Sequence, residues 1–271
     1  MWIRYKIYFR DYRKGRHDRN LLELLVFILY LFSDLQKIYN RAWKLANLIE
    51  NLKLKKALIT SRINRNSKKA LLNLNQTKGF NIANRVNIYL SLLTRLGHAF
   101  PIKTKKVIWK ENIEKDCGVI FISVHLPLIK VAIAKLIEDG HEINAALSAS
   151  LTQDGKMAFW GITKKVPIIQ SGAMSLVKVK SILTNKGSIV MMADAGPLSM
   201  IYPNIFHLAA KINARILFLF AYLNEKGVIE ITLTEPSHSQ ISDDKQLEKN
   251  ITDLREAREE ILIKYANQFD N

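Results

Sequence analysis

A chain of 271 residues, 48% of them apolar, can bury one large core or two modest ones, which excludes a disordered tail. Its formal charge of +17 is unevenly placed: residues 1–110 hold 24 Lys and Arg against 5 Asp and Glu, and the remainder 17 against 19. A nucleic-acid or membrane affinity carried by charge therefore belongs to the first part of the chain. The lone Cys117 excludes an internal disulfide framework and fits a reducing compartment.

The opening stretch "MWIRYKIYFRDYRKGRHDRN" mixes aromatic and cationic side chains in the manner of a bilayer interface. Residues 21–32, "LLELLVFILYLF", form an apolar run of twelve that includes Glu23, whereas a span needs about 20 apolar residues. No small-x-small cleavage site follows, so retention on the cytoplasmic side of a membrane is expected; a buried core helix is the alternative reading. From Leu35 to Leu52 the apolar residues recur at steps of three and four with Lys and Arg off the stripe, which predicts a basic amphipathic helix. Residues 61–85 are polar and Asn-rich. Residues 86–100 read as a further helix, closing near Gly97 and before Pro101.

Beyond residue 105 the texture changes to short β-rich runs: 118–124, 143–149, 166–170, 188–193, 215–222 and 228–233. Helix-like segments alternate with them, "LIKVAIAKLIEDG", "GAMSLVKVKSILTNKG" and "NIFHLAAKINA", with Gly140 and Gly187 as expected C-terminal caps. This alternation predicts an α/β sheet with helices on its faces, followed by a charged surface helix at the C-terminal end.

Two residues stand at the ends of predicted strands. His125 closes "GVIFISV" and precedes a helix expected to begin near Pro127; an imidazole titrates near pH 6.5 and is suited to taking a proton from a hydroxyl. A hydrogen-bonded core histidine is the bland reading. Asp194 follows "GSIVMMA" into a turn, "DAGP", and in a parallel sheet would emerge on the same rim. It either orients His125, binds substrate, or caps its own turn. His17, His98, His141, His207 and His238 lack such placement. Other chemistries find no motif: there is no G-x-G-x-x-G after the first α/β strand, no phosphate loop, no G-x-S-x-G elbow and no zinc spacing.

From about residue 105 to 240 the order of these pieces resembles the late acyltransferases of lipid A biosynthesis, the lauroyl and myristoyl transferases of the glycerolipid acyltransferase superfamily. A strand ending in His125 leads into a helix; "VPIIQSGAMSLVKVKSILTNKGSIVMMADAGP" is similar to the family's helix, Lys-Gly turn, strand and Asp; "NIFHLAAKINARILFLFAYLNEKGVIEITLTEP" resembles its next helix, strand, turn and strand. The resemblance implies a mixed sheet flanked by helices at 106–271, behind a basic, apolar, membrane-associating helical region at 1–105, either as two units or as one continuous domain. It implies transfer of a fatty acyl group from acyl carrier protein or acyl-CoA, with no bound cofactor or metal, to a hydroxyl of a membrane glycolipid at the cytoplasmic face of the bacterial inner membrane.

His125 would then be the general base, and Lys130 and Lys156 the candidate substrate-binding cations. The chain departs from the family in three places. The family motif is His, four residues, then Asp or Glu, and here Lys130 stands where that acid belongs. Lys156 alone approximates an arginine that follows the family's second strand, and "KYANQFDN" lacks the family's tryptophan-and-arginine ending. Glu138 and Asp139 lie roughly 12 Å further along the helix at 1.5 Å per residue, which leaves Asp194 as the substitute acid. Two other readings follow: a relative without catalysis that binds lipid or an acyl carrier partner, motivated by Lys130 and the missing family ending, and a nucleic-acid-binding protein, motivated by charge alone. Against the latter, phosphate-binding surfaces have no use for the apolar run "LLVFILYLF".

Overall fold

The computed structural model describes residues 43–48, 81–87, 90, 104–110, 113, 116–147, 156–158, 165–170, 172, 174–194, 200–224 and 226–267. The basic opening stretch and the apolar run 21–32 lie outside the described residues. Among the described residues no helix is long and apolar enough to cross a membrane.

The fold is α/β. Its strands are β1 (Thr104–Trp109), β2 (Val119–Ser123), β3 (Ile143–Leu147), β4 (Lys156–Ala158), β5 (Lys165–Gln170), β6 (Ser188–Met192), β7 (Arg215–Leu223) and β8 (Ile229–Thr234). They form one sheet in the order β1-β8-β7-β2-β6-β3-β5-β4. The central strands β7, β2, β6, β3 and β5 run parallel. Strand β8 turns back antiparallel on β7, β1 runs parallel to β8, and β4 lies antiparallel on β5, so the sheet is mixed. Among the described residues after β1 the helices are α1 (Ile129–Glu138), α2 (Ser175–Thr184), α3 (Asn204–Lys211) and α4 (Asp244–Asn267).

Why these runs are strands follows from where they sit. Strand β2 is buried at every position because helices cover both faces of the parallel centre, so its sequence is continuously apolar rather than alternating. The expected strands at 118–124, 143–149, 166–170, 188–193, 215–222 and 228–233 all form, within a residue or two at their ends. Strands β1 and β4 were not read from sequence: β1, "TKKVIW", carries two lysines and is mostly exposed at the sheet edge, where charge blunts an unpaired ladder. Trp109 Nε1 (2.9 Å) and Lys106 Nζ (2.7 Å) both donate to Asp139 at the end of α1 and pin that edge.

Helices α1, α2 and α3 end alike. After α1, His141 N–H donates to Leu136 O (3.0 Å) and Gly140 N–H to Ile137 O (3.1 Å), with Gly140 at φ 89°. After α3, Ala214 N–H donates to Ala209 O and Asn213, at φ 52°, to Ala210 O. After α2 the same pair runs from Gly187 to Ile182 O (2.8 Å) and from Lys186 to Leu183 O (3.0 Å). These are Schellman closures, each turning the chain straight into the next strand. The expectation for Gly187 needs correction: the left-handed residue is Lys186, at φ 60°, and Gly187 is required because a Cβ there would lie 2.6 Å from the Ile182 side chain. Lys186→Gly should therefore stabilise the fold by about 1 kcal/mol, read as a higher urea midpoint at unchanged slope.

Helix α4 is more than a charged surface helix. Leu247, Ile251, Leu254 and Ile261 form a buried stripe, and α4 packs on α3 and β7. Within that stripe lies the fully buried Asn250, which accepts the His238 N–H (3.1 Å) and donates to His238 O (2.6 Å). One side chain thus satisfies both backbone groups of the segment entering α4. Asn250→Leu, by orphaning both, should cost about 3 kcal/mol in chemical denaturation.

Residues 43–48 and 81–87 are helical, so helix begins earlier than the expected 86. Ala46, Ile82, Ala83, Val86 and Leu90 belong to the same buried cluster as the sheet, and the Trp43 ring lies against Gly227, in the turn between β7 and β8. A division of the chain near residue 105 would fall inside β1.

Candidate active site

Strands β2 and β6 are neighbours in register, with Ser123 beside Met192 at their C-terminal ends. Their onward paths differ. From β2 the chain crosses by α1 to β3, on one side; from β6 it crosses by α3 to β7, on the other. Connections that leave neighbouring strands in opposite directions make a switch point of the sheet, the place where α/β folds present their sites.

His125 stands at that rim because its neighbours are held. Val124, Leu126 and Leu128 are buried, and the Leu126 N–H donates to Val124 O (2.6 Å), closing a three-residue turn centred on His125. With apolar anchors on both sides pulled inward, the imidazole is extruded and its side chain is 42% exposed. Helix α1 begins at Ile129, two residues later than expected, with Pro127 in the turn ahead of it.

Asp194 is fixed from the other strand. The Ala193 N–H donates to Ser123 O (2.8 Å), continuing the β2–β6 ladder, and the Tyr202 N–H donates to Ala193 O (2.7 Å) while Asp194 bridges Ile201. The carboxylate is 1% exposed. Its Oδ1 accepts twice from one residue: from the His125 backbone N–H at 2.9 Å and from the His125 ring at Nδ1, 2.7 Å away. A carboxylate acceptor puts the ring proton on Nδ1 and leaves Nε2 with its lone pair at the exposed end of the ring. The backbone bond sets the oxygen before the ring reaches it, so ring orientation and tautomer are fixed together. Asp194 Oδ2 is buried and has no hydrogen-bond partner among the described residues.

The other sequence candidates are placed differently. Lys130 lies half-buried in the first turn of α1, five residues after His125. Lys156 is not brought to this rim: it sits on edge strand β4 opposite Pro167, four strands from β2, roughly 19 Å away at about 4.8 Å per strand. Asp139 is engaged by Lys106 and Trp109, and Glu138 by Lys135, so neither serves the imidazole. His141 packs edge-on against Phe121, centroids 6.1 Å apart. Among the described residues no group of His, Cys, Asp and Glu could hold a metal ion. Sequence reading passed over a set of exposed apolar side chains on the same rim: Met174, Leu176, Val177, Met200 and Tyr202.

An exposed imidazole with a buried aspartate on its other ring nitrogen, at a switch point of an α/β sheet, can take a proton from a hydroxyl. No protein-family model matches the chain, and no curated protein is significantly similar to it.

Proposed function

We propose that this protein is an acyltransferase of the glycerolipid acyltransferase type, moving a fatty acyl group from a thioester of acyl carrier protein or coenzyme A to a hydroxyl of a membrane glycolipid of the lipid A class, at the cytoplasmic face of the bacterial inner membrane. The observation that carries the reading is the 2.7 Å contact between His125 Nδ1 and Asp194 Oδ1. The family's acid, displaced by Lys130, is supplied here from β6. That contact favours catalysis over the reading as a relative that only binds lipid or an acyl carrier partner.

In the reaction His125 Nε2 takes the acceptor hydroxyl proton as the oxygen attacks the thioester carbonyl. Asp194, already seated on Nδ1–H, stabilises the imidazolium that forms. The tetrahedral intermediate collapses with loss of the thiolate, which recovers the proton from Nε2, so ester and thiol are the products and the base is regenerated. Asp194 is a positioning residue; only His125 meets the reacting atoms. Lys130, at the start of α1, adds positive charge for a phosphorylated acceptor.

The test is direct. Membranes expressing the protein are supplied with radiolabelled acyl thioester, and extracted glycolipids are resolved by mass spectrometry. An added acyl mass on a glycolipid that disappears with His125→Ala supports the reading; lipids identical with and without the protein overturn it.

A further inference from the structure

Between Asp154 and Glu225 the sequence holds one acidic residue, Asp194, which is buried against His125, while Lys156, Lys164, Lys165, Lys178, Lys180, Lys186, Lys211 and Arg215 supply cations. The strand register shows where part of that segment lies. Gln170 of β5 pairs with Leu147 of β3, and Ala145 of β3 with Val190 of β6, so β5 and β6 reach the same rim about 10 Å apart. Residues 174–177 leave β5 over this rim and residues 200–202 rise from it beside Asp194.

Both stretches expose large apolar side chains. Leu176 continues the buried Val179–Leu183 stripe of α2 toward the rim, yet it is 64% exposed; Met200 is 76% exposed, and Met174, Val177 and Tyr202 are exposed beside them. Lys178 and Lys180 are exposed in the next turn. A protruding apolar group bordered by lysines and an interfacial tyrosine, in a segment stripped of exposed acid, has the chemistry of a surface that enters an anionic bilayer.

We infer that the C-terminal rim of the sheet is itself a docking surface for anionic lipid, with Met174, Leu176, Val177, Met200 and Tyr202 entering the interface and Lys178 and Lys180 meeting the headgroups. It stands whether or not the protein transfers acyl groups. It turns His125 toward the headgroup layer. An acidic partner protein would match the lysines but leave the five apolar groups without a reason to protrude, so the bilayer is the better occupant.

The experiment uses the full chain carrying Cys117→Ser and one new cysteine at a time, at Leu176, Met200 or Ile108, each labelled with an environment-sensitive fluorophore. Ile108 is exposed on β1, at the opposite edge of the sheet, and serves as the reference. With vesicles of phosphatidylcholine and phosphatidylglycerol, the probes at 176 and 200 should shift to the blue and be quenched by brominated acyl chains, while the probe at 108 does neither. Lys178→Glu with Lys180→Glu should abolish the shift at 176. The inference is overturned if 176 and 200 stay unshifted, if all three positions shift alike, or if the shift requires added acyl carrier protein rather than lipid.

Discussion

His125→Ala should lower turnover of a hydroxyl acceptor with an acyl thioester by about 10²–10⁴-fold, the range contributed by a positioned general base. The loss should fall equally on kcat and kcat/KM, because Nε2 accepts its proton only as the transition state forms. The folded state should survive. The ring is 42% exposed, and its removal lets water reach an Asp194 oxygen that keeps the His125 backbone N–H at 2.9 Å. A cost of about 1–2 kcal/mol against a total of about 5–15 kcal/mol leaves the protein folded. Circular dichroism melts together with initial rates make the separation: activity lost with the melt near its original temperature is catalytic, and a collapse of both together would point to a structural histidine.

Asp194 gives the second large effect, and its two substitutions should differ in kind. In Asp194→Asn the backbone N–H of His125 still demands an acceptor at the Oδ1 position, so the amide oxygen stays there and the ring keeps its Nδ1–H tautomer. What disappears is the negative charge opposite the forming imidazolium. A charge-assisted hydrogen bond exceeds a neutral one by about 1–2 kcal/mol, which corresponds to about 5–30-fold in turnover. Asp194→Ala removes orientation as well and should approach about 10⁴-fold, the loss seen when the equivalent orienting group of a catalytic triad fails. Nitrogen-15 spectra of the histidine ring should report Nδ1–H in the parent and in Asp194→Asn, and a mixture of tautomers in Asp194→Ala. Equal losses in the two variants, or an Asn variant whose proton moves to Nε2, would contradict the shared-oxygen geometry.

These two effects were unequally legible in the sequence. That His125 and Asp194 each end a strand could be read locally, from apolar blocks that stop at a polar residue and a turn. Their contact could not. The partners lie 69 residues apart, with β3, β4 and β5 between them in the chain, and they meet because β6 inserts next to β2 instead of following β5 outward. The place of Lys156 was hidden for the same reason: it follows β3 in sequence, and the strand order carries it to the far edge.

Edges and caps were misread where local composition opposes the outcome. Lysine-rich β1 pairs because an edge strand tolerates charge, and Lys186 takes the left-handed position because the adjacent Gly187 is needed for close approach to Ile182. The exposed rim side chains illustrate the converse. Leu176 has the spacing of a core residue on α2, and only its position past the end of the sheet leaves it uncovered.

By itself, then, the sequence determined the succession of strands and helices, the polar residues that terminate β2 and β6, and the concentration of positive charge before residue 110. Those properties depend on backbone periodicity and on composition, which act over a few residues. The tertiary structure decided which strand ends are neighbours, that one aspartate oxygen serves both the backbone and the ring of His125, and which apolar side chains remain outside. These depend on crossover direction and on burial between distant segments, where the free energy lies in contacts that no local window contains.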